Sequence, residues 1–272
     1  MHGEQPSLLP VFNCRRRMDW IRAALDLLFP PRCVLCGVST IQLTPDCLCW
    51  RCWQRIDYIK PPLCACCGAM VAGSPDHNHL CGTCLRHPPP YSRARSCIRY
   101  DQPARLLLHR LKYHGDTTVL PAIRYIIAQA DIHKMGNADL IVPVPLFVKR
   151  LKARGLNQAE ILARQFFPDR DGHIRTDILM RIRDTRSQTA LSGSARRNNL
   201  RSAFQVAKSA CVKGGKVCLV DDVFTTGTTA AECAKILLES GAEEVWVLTL
   251  ARVVMKGSPL DQKRLGQVDH LL

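Results

Sequence analysis

The sequence predicts an α/β protein in which a parallel sheet flanked by helices follows a small cysteine-rich domain. Between residues 95 and 251, short apolar runs alternate with longer segments of helical spacing, which is typical of β-α-β units and of parallel strands. Eleven of the 15 cysteines lie between Cys14 and Cys84, whereas residues 101–200 contain none. A proline- and arginine-rich linker, RHPPPYSRARS at residues 86–96, separates the two regions and marks the expected domain boundary.

Length, composition and charge restrict the class of protein. With 272 residues, 47% of them hydrophobic, the chain can bury the core of one large domain and one small one. Lys and Arg number 38 against 23 Asp and Glu, which gives a formal charge of +15. A surplus of this size favours polyanionic partners, such as nucleic acid or phosphorylated ligands, but does not choose between them.

The sequence indicates a protein of the reducing cytoplasm. The number of cysteines is odd and no segment has the form of a cleavable signal peptide, so a secreted disulfide scaffold is not expected. The longest apolar stretch near the start, residues 20–29, contains Arg22 and Asp26 and is shorter than the roughly 20 residues that cross a bilayer. No membrane insertion is expected.

The chain divides into four expected parts. A helix is predicted at the start of the cysteine-rich domain, because apolar residues recur at helical spacing in MDWIRAALDLLF before two prolines. The choice between Met1 and Met18 as the start of the protein stays open. The four parts are residues 1–17, a disordered leader without any pattern; 18–90, the cysteine-rich domain with its opening helix; 95–255, the α/β domain; and 256–272, a C-terminal tail.

Each element of the α/β domain follows from a local pattern. Apolar, β-branched runs such as DLIVPVP and EVWVLTLA predict strands. Apolar residues three or four apart, as in LNQAEILARQFF, predict helices, and Gly241 ends the last of them. In chain order we expect strand 95–100, helix 117–132, strand 139–145, helix 156–167, strand 177–182, helix 195–204, strand 216–220, helix 228–241 and strand 244–251.

Four CxxC knuckles organise the first domain. CVLC is followed after 12 residues by CWRC, and CACC is followed after 13 residues by CGTC, so one kind of loop occurs twice. Each loop supplies four thiolates, which a closed tetrahedral structural zinc site requires. Redox dithiols are the alternative, but such motifs rarely occur as four knuckles in two loops. The eight expected zinc ligands are Cys33, Cys36, Cys49, Cys52, Cys64, Cys67, Cys81 and Cys84.

Some details of the two zinc sites stay open at this stage. Cys47 and Cys66 are spare thiols, and either could replace a neighbour as ligand. Gly37, Gly68 and Gly82 lie where knuckle turns tolerate a positive φ. Because the region holds few apolar residues, the two metals are expected to contribute the free energy that folds it. The zinc is expected to be structural, since four thiolates leave no open coordination position.

Two adjacent carboxylates follow a buried strand in KVCLVDDVFTTGTTAAE. Asp221 and Asp222 are expected just past the end of strand 216–220, where open parallel sheets bind ligands. The threonine loop, residues 225–229, then leads into a helix, and its amides and hydroxyls predict a cradle for a phosphate. Carboxylates beside such a cradle suit a ribose 5-phosphate, whose hydroxyls they would hold directly or through magnesium. An acidic helix cap is the simpler alternative, but it explains only one Asp.

The stretch VCLVDDVFTTGTT resembles the phosphoribosyl pyrophosphate motif of type I phosphoribosyltransferases. From about residue 25 to residue 252, the chain is similar to the ComF family, which is associated with DNA uptake in competence. The motifs that carry the similarity are the cysteine knuckles, CGTCLRHPPP, LHRLKYHGD, IVPVPL, KRLKARGLNQAEILA, RDTRSQTALS and RRNNLRSAF. The resemblance implies a type I phosphoribosyltransferase-like sheet preceded by a double zinc ribbon.

The resemblance also implies roles for single residues. Asp221 and Asp222 would hold the ribose hydroxyls with magnesium, residues 225–229 would bind the 5-phosphate, and KRLKARG would act as a mobile lid. Asn157 and Gln158 belong to the same family segment as this lid. The residues implied to bind phosphoribosyl pyrophosphate are Asp221, Asp222, Thr225, Thr226, Gly227, Thr228 and Thr229, with Lys112, Arg150 and Arg154 at the pyrophosphate; no catalytic residue is assigned.

Three functions are compatible with these patterns. The one we favour is a ComF-like protein that handles single-stranded DNA during uptake, with DNA-uptake proteins as partners and a phosphoribosyl pyrophosphate site that regulates or catalyses. The second is a phosphoribosyltransferase with an unidentified acceptor. Base salvage is not expected, because Thr225 stands where purine-salvage members carry an Asp that assists the base. The third is a structural adaptor without enzymatic activity.

Clusters of basic and aromatic residues support the expectation of single-stranded DNA binding. Basic residues concentrate in the linker, in the lid segment and in RIRDTRSQTALSGSARRNNLR, and such clusters can follow a phosphate backbone. Aromatic side chains beside them could stack on bases, although burial in the core is the alternative for each. The candidates are Trp50, Trp53, Tyr91 and Tyr113.

Overall fold

The structure is a computed structural model, and it describes residues 29–39, 47–72, 79–132, 138–184 and 203–254. The expected leader, the C-terminal tail and nearly all of the opening helix lie outside these ranges. Within them, no helix is long and apolar enough to cross a membrane. The helices and strands are α1 (Trp50–Gln54), α2 (Gly82–Arg86), β1 (Arg93–Arg99), α3 (Gln102–His114), α4 (Leu120–Gln129), β2 (Leu140–Pro143), α5 (Val148–Arg154), α6 (Gln158–Phe166), β3 (Leu179–Arg181), β4 (Phe204–Val206), β5 (Lys216–Phe224), α7 (Thr228–Glu239) and β6 (Glu244–Arg252).

Four strands form one parallel sheet in the order β1-β6-β5-β2. Successive residues of the central strand β5 enter different cores, because side chains alternate between the two faces of a sheet. Cys218 and Val220 pack with α3, α4 and α6, whereas Val217 and Leu219 pack with α7. All four are fully buried. The predicted α/β class, a parallel sheet flanked by helices, is confirmed.

Strand β5 is longer than the sequence predicts. It continues to Phe224, so Asp221 and Asp222 lie inside a nine-residue strand and the expectation that they follow its end is wrong. The two charges interrupt the apolar run and conceal its continuation, but pairing with β6 persists through Asp221 opposite Thr249. Because β2 ends opposite Val220, both carboxylates still lie beyond the end of one neighbouring strand.

Helix α3 is absent from the predicted elements although its pattern is regular. Leu107 and Leu111 lie four residues apart and are fully buried. The Asp101 side chain accepts a hydrogen bond from the first turn, and Gly115 ends the helix with a φ of 55°. The helix matters for the site because it carries Lys112 to the carboxyl edge of the sheet.

A separate antiparallel ribbon pairs β3 with β4. The predicted strand 177–182 therefore exists in shortened form but does not join the parallel sheet. Phe204 opens β4, whereas the sequence predicts it as the last residue of helix 195–204; the greater part of that helix lies outside the described residues. Phe204 is 3% exposed and belongs to the core on the α7 side, so tertiary burial outweighs its local helical pattern.

The cysteine-rich region packs against β1 through main-chain hydrogen bonds. The N–H of Ile59 donates to the carbonyl of Cys97 at 2.9 Å, and the N–H of Ala94 donates to the carbonyl of Cys66 at 2.7 Å. Both cores also contain cysteines of this region beside residues of the sheet and its helices. The two parts of the chain therefore share their buried surfaces.

Candidate functional site

A cavity of about 280 Å³ opens at the carboxyl end of the parallel sheet. Open parallel sheets bind their ligands at this edge. The cavity wall combines two carboxylates, four cationic side chains and part of the threonine loop, and it includes eight of the ten residues predicted for the phosphorylated ligand. Besides Gly227 of the threonine loop, its polar and aromatic lining consists of Tyr100, Lys112, Tyr113, Arg150, Arg154, Gln158, Arg181, Asp221, Asp222, Phe224, Thr225, Thr229 and Thr249.

The two carboxylates at the end of β5 have different partners. Asp222 is 7% exposed and forms an ion pair with Lys112 of α3. Its Oδ1 accepts a hydrogen bond from the N–H of Val223 at 2.7 Å. The Oδ1 of Asp221 accepts from the N–H of Asp222 at 2.8 Å. The strand thus presents two neighbouring carboxylates to the cavity, and Lys112 neutralises one of them.

This arrangement changes the titration of Asp221 and of Lys112. Burial, followed by the charge of Asp222, raises the pKa of Asp221 to about 8, although Lys112 acts in the opposite direction. Burial would lower the pKa of Lys112, but the charge and hydrogen bond of Asp222 outweigh it and raise that pKa. A cation that binds Asp221 must therefore displace a proton below about pH 8.

The threonine loop joins β5 to the N-terminus of the 12-residue helix α7. Gly227 has a φ of 77°, and a Cβ there would lie 2.6 Å from Cζ of Phe224 and 3.1 Å from Oη of Tyr91. Only glycine fits such a position. The hydroxyls of Thr226 and Thr228 are hydrogen-bonded to each other at 2.7 Å. The helix end supplies amides and a positive dipole, which favour an anion at the loop.

The segment that the resemblance assigns to a lid is helix α5, which forms one wall of the cavity. Arg150 lies 3.5 Å from Asp184 in an ion pair. The Arg154 guanidinium donates to Oε1 of Gln158 at 3.2 Å and lies 5.4 Å from the centre of the Tyr113 ring. Both predicted arginines therefore face the cavity from an ordered helix, and their contact with a ligand stays a prediction.

Arg181 is a cavity residue that sequence reasoning assigned only to a basic cluster. It ends β3, and its guanidinium carbon lies 5.4 Å from the centre of the Phe204 ring. Burial lowers its pKa, and the nearby charge of Arg150 acts in the same direction. The available signal was an arginine inside the apolar run DILMRI, since a charge in a strand is usually there for a partner or a ligand.

Asn157, which belongs to the same family segment, connects two elements behind the cavity. Its side-chain oxygen accepts from the N–H of Ala159 at 3.1 Å and caps α6. Its Nδ2 donates to the carbonyl of Val144 at 3.2 Å. Because Val144 itself lines the cavity just after β2, Asn157 holds this wall in place.

The eight predicted zinc ligands form two clusters. In each cluster, the four Sγ atoms all lie within 4.8 Å of one another. Cys36 and Cys49 approach to 3.7 Å and Cys67 and Cys81 to 3.6 Å, close to the roughly 3.8 Å that a tetrahedral site with zinc–sulfur bonds of about 2.3 Å requires. The clusters, which fit two structural zinc ions, are Cys33, Cys36, Cys49 and Cys52, and Cys64, Cys67, Cys81 and Cys84.

The knuckle turns have the expected geometry at two of the three glycines. Gly37 and Gly68 have φ angles of 72° and 68°, and their N–H groups donate to the carbonyls of Cys33 and Cys64 at 2.8 and 3.0 Å. The prediction for Gly82 is wrong, because this residue opens α2 and its φ is not positive. A helical turn replaces the glycine turn at that knuckle.

Main-chain N–H groups make two of the thiols acidic. Burial alone would raise the pKa of Cys33, but N–H groups of Cys49, Cys36 and Leu35 lower it to about 6. The same balance lowers the pKa of Cys64 to about 7, and the N–H of Cys81 donates to its sulfur at 3.3 Å. Since zinc binds the thiolate, these N–H groups prepare one sulfur of each cluster for metal, whereas burial raises the pKa of Cys52 and of Cys84.

The structure also identifies the spare cysteines. Neither Cys47 nor Cys66 belongs to a cluster. The Cys66 thiol instead donates to the carbonyl of Tyr91 at 3.5 Å. The cysteines that join the clusters within CLCWRC and CACC are therefore the first and last of each CxxC knuckle.

Comparison with known proteins matches both parts of the chain. Residues 24–85 match the double zinc ribbon domain family, and residues 117–265 match the phosphoribosyl transferase domain family. The DNA utilization protein YhgH of Escherichia coli O157:H7 is 32% identical over 228 residues, which cover 78% of this chain and 100% of the relative. Competence protein F of Haemophilus influenzae is 33% identical over 227 residues, which cover 81% of this chain and 96% of the relative. Competence protein ComFC of Bacillus subtilis is 27% identical over 242 residues, which cover 81% of this chain and 94% of the relative.

Proposed function

The chain belongs to the ComF family, and from this premise we propose that it binds phosphoribosyl pyrophosphate with magnesium and handles single-stranded DNA during DNA uptake. The observation that carries the ligand proposal is the convergence of two carboxylates, four cationic side chains and part of the threonine loop on one cavity of about 280 Å³. The DNA proposal is supported by relatives named DNA utilization protein and competence protein, and by the surface described below.

Phosphoribosyl pyrophosphate has three polar parts, and the cavity offers a complement to each. The 5-phosphate would accept hydrogen bonds from the threonine loop at the N-terminus of α7. The ribose diol would donate to Asp221 and Asp222, as carboxylates accept from neighbouring hydroxyls. The pyrophosphate would lie toward Lys112, Arg150 and Arg154, whose charges offset its own.

Magnesium would arrive with the ligand. This ion prefers oxygen ligands and is commonly held by one or two carboxylates together with substrate phosphates, a donor set that Asp221, Asp222 and the pyrophosphate provide. When bound, it would neutralise the pyrophosphate and weaken the bond from the anomeric carbon to the leaving oxygen. The chain's own residues would orient the ribose and hold its phosphates apart from bulk water.

Calorimetry tests the ligand proposal directly. We expect phosphoribosyl pyrophosphate to bind in the presence of magnesium chloride and to bind much more weakly when the ion is removed by a chelator. Ribose 5-phosphate and inorganic pyrophosphate, each of which offers only part of the interaction, should bind more weakly than the complete ligand. Equal affinity for all three compounds, or no binding of any, would contradict the proposed site.

A second candidate function is transfer of the phosphoribosyl group to an acceptor. The observation that favours it is the pair of aromatic side chains at the cavity mouth, Tyr100 and Tyr113, which are 37% and 62% exposed and could stack on a planar acceptor. Release of pyrophosphate in the presence of candidate acceptors would support transfer. Binding without release would favour a regulatory site, and binding of neither ligand nor DNA would favour a structural adaptor.

The described residues narrow the surface available for DNA. Lys149 and Lys152 on α5 are exposed, and Arg154 of the same helix lies 5.4 Å from the centre of the exposed Tyr113 ring. Arg95 is unsuited to this role, because its guanidinium donates to knuckle carbonyls, and Tyr91 is 4% exposed and cannot stack on a base. The basic residues of the third cluster from Arg186 to Arg201 lie outside the described ranges. We therefore place single-stranded DNA along α5, with Tyr113 as a stacking platform.

Binding of a single-stranded oligonucleotide should depend steeply on salt. Log affinity should fall linearly with log salt concentration, with a slope of about 0.7 for each phosphate contacted. The double variant Lys149→Ala/Lys152→Ala should reduce that slope by about 1.4 if each lysine meets one phosphate. Lys235→Ala, which removes an exposed lysine of α7, serves as the control and should leave the slope unchanged.

Fluorescence anisotropy over a range of salt concentrations measures both quantities. An affinity independent of salt, or an unchanged slope in the double variant, would contradict the placement on α5. Competition between the oligonucleotide and phosphoribosyl pyrophosphate would support a surface shared with the cavity mouth. Independent binding would instead place DNA on the linker and the cysteine-rich region, where Trp50 is 58% exposed and stacks on Trp53.

A further inference from the structure

The last residue of β6, Arg252, lies between the second cysteine cluster and the threonine loop. Its Nη1 donates to the carbonyl of Cys67 at 2.6 Å. Its guanidinium carbon lies 4.4 Å from the centre of the Phe224 ring. Arg252 is 6% exposed and Phe224 is 5% exposed. A cation is attracted to an aromatic face more strongly where water is excluded, so this contact is a strong one.

On the side of the loop, the ring of Phe224 determines where the main chain can lie. The Cβ position of Gly227 is 2.6 Å from Cζ of Phe224, so the loop backbone rests directly on this ring. Tyr91 packs edge-to-face against the ring, with 6.2 Å between the centres and 83° between the planes. The carbonyl of Phe224 accepts from the N–H of Val253 at 2.9 Å. A shift of Phe224 would therefore shift the loop.

On the side of the cysteines, Arg252 contacts the CACC knuckle turn. The Cβ position of Gly68 lies 3.2 Å from Nη1 of Arg252 and 2.3 Å from the carbonyl oxygen of Ala94. The turn is also held by Arg95, whose guanidinium donates to the carbonyls of Cys64 and Ala65 at 3.4 and 3.2 Å. The knuckle therefore holds the carbonyl of Cys67 in a fixed position, and the hydrogen bond from Arg252 depends on that position.

The first cysteine cluster has no comparable path to the loop among the described residues. In its knuckle, the carbonyl of Val34 accepts a hydrogen bond from the guanidinium of Arg110 in α3. This contact lies with the other core, on the face of the sheet away from α7. The Arg252 contact is thus specific to the second cluster, and it joins residues 185 positions apart in the chain.

We propose that Arg252 is a positioning residue which transmits the order of the second cysteine cluster to the threonine loop, so that the loop is formed for an anion only when Cys64, Cys67, Cys81 and Cys84 hold their metal. The effect on ligand affinity rests on the proposed function of the loop, whereas the effect on the order of the loop does not. The second cysteine cluster then not only lies beside the ligand site but must also hold its metal for that site to form.

Three variants of the full-length, zinc-loaded protein test the contact. Arg252→Met removes the charge and the hydrogen bond to Cys67, Arg252→Lys retains the charge, and Phe224→Leu removes the ring without changing the knuckle. Arg99→Met is the matched control, because Arg99 lies opposite Arg252 in the sheet and also contacts the cysteine-rich region. Its guanidinium forms an ion pair with the Asp57 carboxylate at 3.4 Å. Each variant is measured for zinc content, for amide hydrogen exchange in residues 223–232 without ligand, and for affinity toward phosphoribosyl pyrophosphate with magnesium.

We expect Arg252→Met and Phe224→Leu to retain two zinc ions per chain while exchange in residues 223–232 becomes at least tenfold faster. This segment contains the hydrogen bond from the N–H of Ala231 to the carbonyl of Gly227, at 2.8 Å. Affinity should fall at least tenfold in both variants, Arg252→Lys should recover part of each change, and Arg99→Met should behave like the unmodified protein. Cys81→Ser should accelerate the same exchange more than Cys33→Ser, since only the second cluster contacts the loop through Arg252.

Unchanged exchange and affinity in Arg252→Met and Phe224→Leu would overturn the inference. Faster exchange accompanied by loss of zinc would also overturn it, because Arg252 would then stabilise the metal site instead of transmitting its order. If the unmodified protein binds no phosphoribosyl pyrophosphate but Arg252→Met still accelerates exchange, the proposed ligand is wrong and the positioning role stands. If Arg252→Met does not fold, Phe224→Leu decides the outcome.

Discussion

We expect the Asp221→Asn variant to lose magnesium-dependent binding of phosphoribosyl pyrophosphate while keeping its fold. A charge-assisted hydrogen bond contributes about 1.5–3 kcal/mol, so affinity should fall roughly 10- to 150-fold even before the loss of a metal contact is included. The fold should be retained because burial disfavours the charged form of Asp221 and raises its pKa to about 8. Asn removes that charge with little change in shape.

The Asp222→Asn variant should lose binding too, but at a cost in stability. Asp222 is buried and paired with Lys112, so its neutralisation leaves a largely buried ammonium without its counter-ion. Breaking a buried pair costs about 3–5 kcal/mol, and the partial exposure of Lys112 reduces this figure. Adding Lys112→Met should restore the melting temperature without restoring binding.

Calorimetry and thermal melting separate these outcomes. Asp177→Asn is the matched control, because Asp177 is a carboxylate in ion pairs with Arg175 and Lys208 outside the cavity. It should leave the affinity for the ligand unchanged. Full affinity in the Asp221→Asn/Asp222→Asn double variant would refute the assignment of the site. Loss of the fold in Asp221→Asn would show that this residue is structural.

The second large effect concerns metal. Purified protein should contain two zinc ions per chain, and Cys33→Ser and Cys81→Ser should each reduce this number to about one. Each variant should also melt at a temperature lower by about 10–20 °C, because a loss of about 5 kcal/mol shifts the midpoint of a domain of this size by about 2–4 °C per kcal/mol. The effect should reach the sheet, since Cys33 and Cys84 belong to the two cores that cover it.

Elemental analysis and scanning calorimetry check this prediction. Cys47→Ser and Cys66→Ser are the matched controls, because these cysteines lie outside both clusters. Both controls should retain two zinc ions. A folded protein that carries no metal would contradict the assignment, as would a control variant that loses an ion.

The sequence by itself determined the fold class and the composition of both kinds of site. Strand and helix periodicity are local properties, so the alternation from residue 95 onward was enough to predict a parallel sheet. The spacing of CxxC knuckles is local as well, and it identified all eight thiolates. The same holds for the two carboxylates and the threonine loop, which are contiguous in the chain, so the carboxylates and part of the loop reach the cavity together.

Only the tertiary structure decided how these parts contact one another. The length of β5 was concealed by its own carboxylates, because pairing with β6, and not hydrophobicity, extends the strand to Phe224. The ion pair of Lys112 with Asp222 and the entry of Arg181 into the cavity join residues far apart in the chain. The contact of Arg252 with Cys67 spans 185 positions. No local pattern encodes such contacts, because they depend on the packing of whole elements, and that packing is what brings the metal region against the ligand site.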